Sequence, residues 1–173
     1  MNTVSKGSTE FYWDNMFPQA IPDRLIVGMV KQKAVNGDYG VNPFNFEVFK
    51  ITEVSLSVNG ESLPGRPLQM DFGDNRNYVS AYTRLFDSCG KWNKDAGLSI
   101  SREDFGNGYT FFAFIITPYF FEEDYINLIR RGNTRLEMKF STATTDAVNV
   151  VVLATFSSML EINKSRDINY VQP

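Results

Sequence analysis

The chain has 173 residues, a formal net charge of −3 and no histidine, with 43% hydrophobic residues that include 15 Phe and 8 Tyr. That is the composition of a core-forming, β-leaning domain and not of a disordered segment. The acidic balance removes long-range attraction for nucleic acid or an anionic membrane, and the missing histidine removes the commonest general base, metal ligand and near-neutral pH switch together.

At this length a single domain is expected, burying on the order of 70% of its unfolded surface. Thr9 to Trp13 reads as the end of a first strand, broken by Asn15 and Pro18. Arg24 to Val30 is a continuous apolar run after Pro22 and suits a strand covered on both faces. Asn36-Gly37-Asp38 is a turn. Asn42 to Pro67 reads as one long strand that turns at Asn59-Gly60 and returns. Val54, Leu56 and Val58 alternate with Ser55 and Ser57, while Phe46, Val48, Phe49 and Ile51 load both faces. Asn-Gly accepts positive φ at both central positions, and Pro64 and Pro67 limit how far the returning ladder extends.

Beyond the hairpin, Asn75 offers a cap to a helix over Asn77 to Ser88, where Tyr78, Val79, Tyr82, Leu85 and Phe86 follow at three-to-four spacing. Ser101 with Asp104 spells a capping box for one helical turn. Tyr109 to Thr117 is a second buried strand, ended by Pro118, and a short helical turn is expected over Glu122 to Ile129. Thr134 to Phe140 alternates, with Leu136, Met138 and Phe140 inward. Val148, Val150, Val152, Ala154, Phe156, Leu160 and Ile162 share one parity, which predicts a single last strand about 50 Å long at about 3.3 Å per residue. About seven or eight strands without a βαβ rhythm, and one or two inserted helices, describe an antiparallel β-sandwich.

Chemistry is sparse. Lone Cys89 excludes an intrachain disulfide and a Cys/His zinc site, and fits a reducing compartment. The N-terminal residues lack the apolar core of a signal peptide, and the longest apolar run, Phe111 to Ile116, is too short to cross a bilayer, so an intracellular product without membrane insertion is expected. Glu103-Asp104 and Glu122-Glu123-Asp124 could be paired carboxylates, but no positioned lysine or histidine partners them, and they read as helix starts and solvated charge. Asp71, Asp74, Asn75 and Asn77 lack the alternate spacing and closing glutamate of a calcium loop and read as a turn with a cap. Arg130, Arg131, Arg135 and Lys139 read as a solvated face or as subunit salt bridges. Asn163-Lys164-Ser165 matches a glycosylation acceptor without a secretion signal to make it relevant.

Six ordered blocks carry a resemblance: PDRLIVGMV (22–30), NPFNF (42–46), VNGESLPGRPLQ (58–69), ISREDFGNGYTFFAFIITP (100–118), INLIRRGNTRLEMKF (126–140) and VNVVVLATF with LEINKSR (148–166). Together, over about residues 22–166, they resemble the C-terminal jelly roll of the double jelly-roll major capsid protein of adintoviruses and polinton-like DNA viruses, whose homologues also sit in animal genomes as virus-derived genes. The resemblance implies an antiparallel jelly-roll β-sandwich of about eight strands. It also implies a virion location and a full-length form with two tandem jelly rolls that trimerises into pseudo-hexameric capsomers.

The chain departs from that pattern in holding one jelly roll, and in an aromatic run, Tyr119, Phe120 and Phe121, after Pro118. The expected partners are therefore other copies and other capsid proteins, with no direct nucleic acid and no small-molecule substrate. No cofactor, metal or catalytic residue is expected. The subunit contact is expected at Tyr119, Phe120, Phe121, Arg130 and Arg131. The alternative is a non-enzymatic carbohydrate- or receptor-binding β-sandwich using Trp92 and the Tyr119 loop.

Overall fold

The computed structural model describes residues 1–117 and 128–171. Eight strands form two antiparallel sheets. The first contains β1 (Asn2–Val4), β3 (Arg24–Lys31), β6 (Phe111–Ile115) and β8 (Val148–Thr155), in the order β1-β8-β3-β6. The second contains β2 (Glu10–Trp13), β4 (Ile51–Val58), β5 (Glu61–Gln69) and β7 (Thr134–Phe140), in the order β2-β7-β4-β5. First therefore pairs with eighth, second with seventh, third with sixth and fourth with fifth. This is one long hairpin folded over into two sheets, the jelly-roll arrangement, and its tip is the Asn59-Gly60 turn with φ of 53° and 87°.

Period-two patterning sets the inner faces. On β7, Thr134, Leu136, Met138 and Phe140 are buried and the residues between them are not. They face Leu25, Val27 and Met29 of β3, Phe112 and Phe114 of β6, and Val148 and Val150 of β8 in one contiguous core. Each such side chain, fully covered, stabilises the fold by about 1.5–3 kcal/mol relative to exposure. Outside the first sheet, Phe46 lies across Gly28 against Phe111, at 4.6 Å between ring centroids. A Cβ at Gly28 would stand 2.7 Å from Phe46 Cδ1, so the close crossing requires glycine.

The long connection between β5 and β6 carries α2 (Val79–Ser88) and α3 (Arg102–Gly106), after the short α1 (Gln32–Val35) that follows β3. It has its own aromatic core. Phe105, fully buried, is surrounded by Phe72, Tyr78, Tyr82 and Phe112, and the Tyr82 hydroxyl donates to the Ile100 carbonyl at 2.9 Å. The predicted capping box is present: Ser101 Oγ accepts from Asp104 N–H while Asp104 accepts from Ser101 N–H.

Three expectations change. The strand expected from Asn42 begins only at Ile51, because Phe49 and Lys50 adopt positive φ (44° and 56°) and break the extended run before it. Asn75 does not cap α2; its amide donates to Asp71 Oδ2, and the helix starts after Tyr78 without a side-chain cap. The single 50 Å strand is two. β8 stops at Thr155, Ser157 turns to hydrogen-bond Asp23 at 2.7 Å, and the chain resumes as β9 (Met159–Ile162), paired only with β10 (Ile168–Val171) among the described residues. Of the helical turn expected after Pro118, Glu122 to Asn127 lie outside the described residues, and Leu128 and Ile129 are not helical. The β1, α1 and β10 segments were not foreseen; all three are four residues or shorter, too brief to show a period.

Candidate functional site

Tyr119, Phe120 and Phe121 lie outside the described residues. Arg130 is tied into the fold: its Nη2 donates to the Ile116 carbonyl at 3.1 Å and the Thr117 hydroxyl at 3.4 Å, and its own carbonyl accepts from Ile21 N–H. Arg131 is exposed and has no ion pair among the described residues. Neighbouring Arg135 is engaged by Asp14 and Glu137 and lies over the Tyr12 ring, and Lys139 is held by Glu53 at 2.7 Å. The four cations thus divide into three with internal duties and one, Arg131, that is exposed without an ion pair among the described residues.

Arg130 belongs to a polar knot that sequence reasoning missed. Buried Asp23 accepts from the Thr117 hydroxyl at 2.6 Å and the Ser157 hydroxyl at 2.7 Å. Its carbonyl accepts from Ile116 and Thr117 N–H, and its N–H donates to Thr155. One carboxylate therefore ties together the start of β3 and the ends of β6 and β8. The available signal was an acid directly before an apolar strand, a place where a solvated side chain is the default. A hollow of about 10 Å³ adjoins it, lined by Ile21, Leu128, Ile129, Arg130, Phe156 and Ser157, too small for a substrate.

The acidic and asparagine-rich turn is occupied with itself. Asp71 accepts from Gly73 N–H and the Asn75 amide, and these hydrogen bonds, the backbone one first, hold its carboxyl below the usual carboxylate range. Asp104 is committed to its cap, where the Ser101 hydroxyl and then the Ser101 N–H lower its pKa. Both use their charge locally, and among the described residues no cluster of three or more His, Cys, Asp or Glu could hold a metal ion.

What the molecule presents instead is surface. On the β9–β10 ribbon Ile162 stands opposite Ile168, and Leu160 is two residues along on the same face. Ile162, Ile168 and Leu160 are 65%, 64% and 56% exposed. The ribbon tip is held firmly, with Asn163 and Asp167 exchanging side-chain and backbone hydrogen bonds at 2.9 to 3.1 Å. A second exposed set, Tyr39 and Phe44, projects from the loop after α1 at the opposite end of β3. A third lies along α2: an open groove of about 580 Å³ between that helix and residues 64–67, continuing into one of about 430 Å³ beside Trp92. No described helix is long and apolar enough to cross a membrane.

No family model matches the chain, and no solved structure matches it. An uncharacterized protein of Caenorhabditis elegans is 30% identical to it over 159 residues, a match covering 89% of this chain and 37% of that protein. The chain spans little more than a third of the length of this relative.

Proposed function

We propose that the chain is a shell-building domain, a jelly roll of a viral major capsid protein or of a gene derived from one, which works by self-association and not by chemistry. The observation that carries the reading is the combination of a jelly roll wound β1-β8-β3-β6 on β2-β7-β4-β5 with a terminal ribbon whose apolar face has no cover among the described residues. A two-stranded ribbon is marginally stable alone in water and gains stability by packing against another surface. Leu160, Ile162 and Ile168 are the groups a neighbouring subunit or domain would cover, with the polar tip at the rim. Their area falls short of the roughly 1,000 Å² a specific interface needs, so the ribbon acts as one element of a larger contact.

The mechanism is geometric. A rigid sandwich holds its edges and end loops at fixed angles, and repeated heterologous contacts close into a symmetric ring. Supporting the longer architecture, nearly two thirds of the nematode relative lies outside the match, room for a second domain of this size. The test is light scattering and negative-stain electron microscopy of a full-length protein containing this domain. Trimers with pseudo-hexagonal outlines are expected; a strict monomer at high concentration sinks the proposal.

A further inference from the structure

The groove along α2 points to a second kind of contact, and we propose that it docks an extended acidic segment of a partner protein. This goes beyond self-association and does not depend on it.

One wall is the bulge of β5. Leu63 pairs with Leu56 and Leu68 with Val54, so residues 64–67 loop out of the ladder opposite a single β4 residue. The other wall is the polar face of α2, where Ser80, Thr83, Arg84 and Asp87 recur at helical spacing. Arg66 lines the groove from the bulge and Arg84 from the helix, and Ser80 and Arg84 line both hollows, so the two form one channel. From Ser80 to Asp87 it follows about 10 Å of helix. At its far end stands Trp92, 51% exposed.

Arg66 and Arg84 outnumber Asp87 on these walls, and neither is paired. Neither Arg66 nor Arg84 has an ion pair or a hydrogen bond from its guanidinium among the described residues, so both forks are open to a ligand. Two planar forks across one open channel match carboxylates bidentately, and they do so on a chain whose overall charge is acidic. Pro64 and Pro67 supply no N–H, so this stretch is a poor template for strand addition and recognition falls to side chains. An extended polypeptide places alternate side chains about 6.6 Å apart on one face, so an acidic residue at every second position keeps its carboxylates toward the channel walls that carry Arg66 and Arg84.

The experiment uses the full chain and a fluorescein-labelled octapeptide of alternating glutamate and valine, with its glutamine counterpart, read by fluorescence anisotropy. The glutamate peptide is expected to saturate, to bind at least about tenfold tighter than the glutamine one, and to weaken as salt shortens the screening length from about 10 Å at 0.1 M to about 3 Å at 1 M. The double variant Arg66→Glu/Arg84→Glu, checked for an unchanged thermal melt, is expected to abolish binding, while Arg131→Glu keeps it. Equal binding of both peptides overturns the proposal, as does salt-independent binding. So does capture of a neutral or sulfated oligosaccharide in preference to the glutamate peptide, or sedimentation showing that Arg84 is needed for the chain's own self-association.

Discussion

Leu136-Glu137-Met138 on β7 and Leu160-Glu161-Ile162 on β9 are almost the same tripeptide, in the same extended conformation, each paired with an antiparallel neighbour. Leu136 and Met138 are fully buried, while Leu160 and Ile162 are more than half exposed. Alternation decides which side chains share a face, and it is silent on whether anything lies across from that face. In β7 the opposing sheet supplies the cover; in β9 the described chain supplies none. The same local code therefore builds a core in one place and an exposed apolar face in the other.

The largest expected effect tests that contrast directly. Leu136→Ala should cost about 2–5 kcal/mol in urea denaturation of this domain, since it opens a cavity between rigid sheets. Leu160→Ala should cost less than about 0.5 kcal/mol in the same assay. Equal costs would mean that the ribbon packs on the body in solution, and the contrast would fail. If the proposed shell-building role holds, the order is expected to reverse for assembly of a longer protein that contains this domain: Ile162→Asp with Ile168→Asp lowers the oligomer fraction in light scattering without shifting the melt of the 173-residue chain.

Gly28→Ala comes next. Its new methyl would meet the Phe46 ring at 2.7 Å, so overpacking should destabilise by about 1–3 kcal/mol, and Phe46→Ala in the same chain should recover part of that loss. At the polar knot, Asp23→Ala removes the acceptor for both Thr117 and Ser157 and leaves the buried Thr117 hydroxyl without it, with an expected cost of about 1–3 kcal/mol. Loss of amide protection at Ile116 and Thr117 would locate the damage.

The smallest effects are in pH. Asp104 has a lower carboxyl pKa folded than unfolded, so its cap stabilises α3 above the ordinary carboxylate range and loses that contribution as pH falls through the lowered value. Lys139 shifts the other way, raised first by its hydrogen bond to Glu53 and then by that residue's charge. Its contribution is complete below the ordinary lysine range and is lost as pH rises through the raised value. Stability followed from acid to alkali should show both flanks, with Ser101→Ala flattening the acid one and Glu53→Gln the alkaline one.

Much of the architecture is legible in the sequence. The hairpin tip at Asn59-Gly60, the alternating β7, the apolar β3 and β6 and the Ser101–Asp104 box all follow from period, turn chemistry and capping, which act between residues close in the chain. Legibility failed where a distant partner overrode a local preference. Ser157 leaves the extended run to reach Asp23, 134 positions away, and so ends β8 where parity alone predicted continuation. Asn75 answers to Asp71 and not to the helix it precedes. Of the expected contact residues, Arg130 is turned to an internal task by groups from two other segments, and Arg131 stays exposed on the surface.

The sequence by itself determined which residues alternate, where the chain turns, and that histidine-based chemistry is absent, because those depend on side-chain identity and backbone sterics within a few residues. Tertiary structure alone decided the rest: that strands one and eight close the first sheet, that Arg66 and Arg84 share a groove, and that Ile162 is uncovered while Met138 is sealed. Burial is a relation between surfaces far apart in the chain, and no local pattern encodes what will be standing opposite.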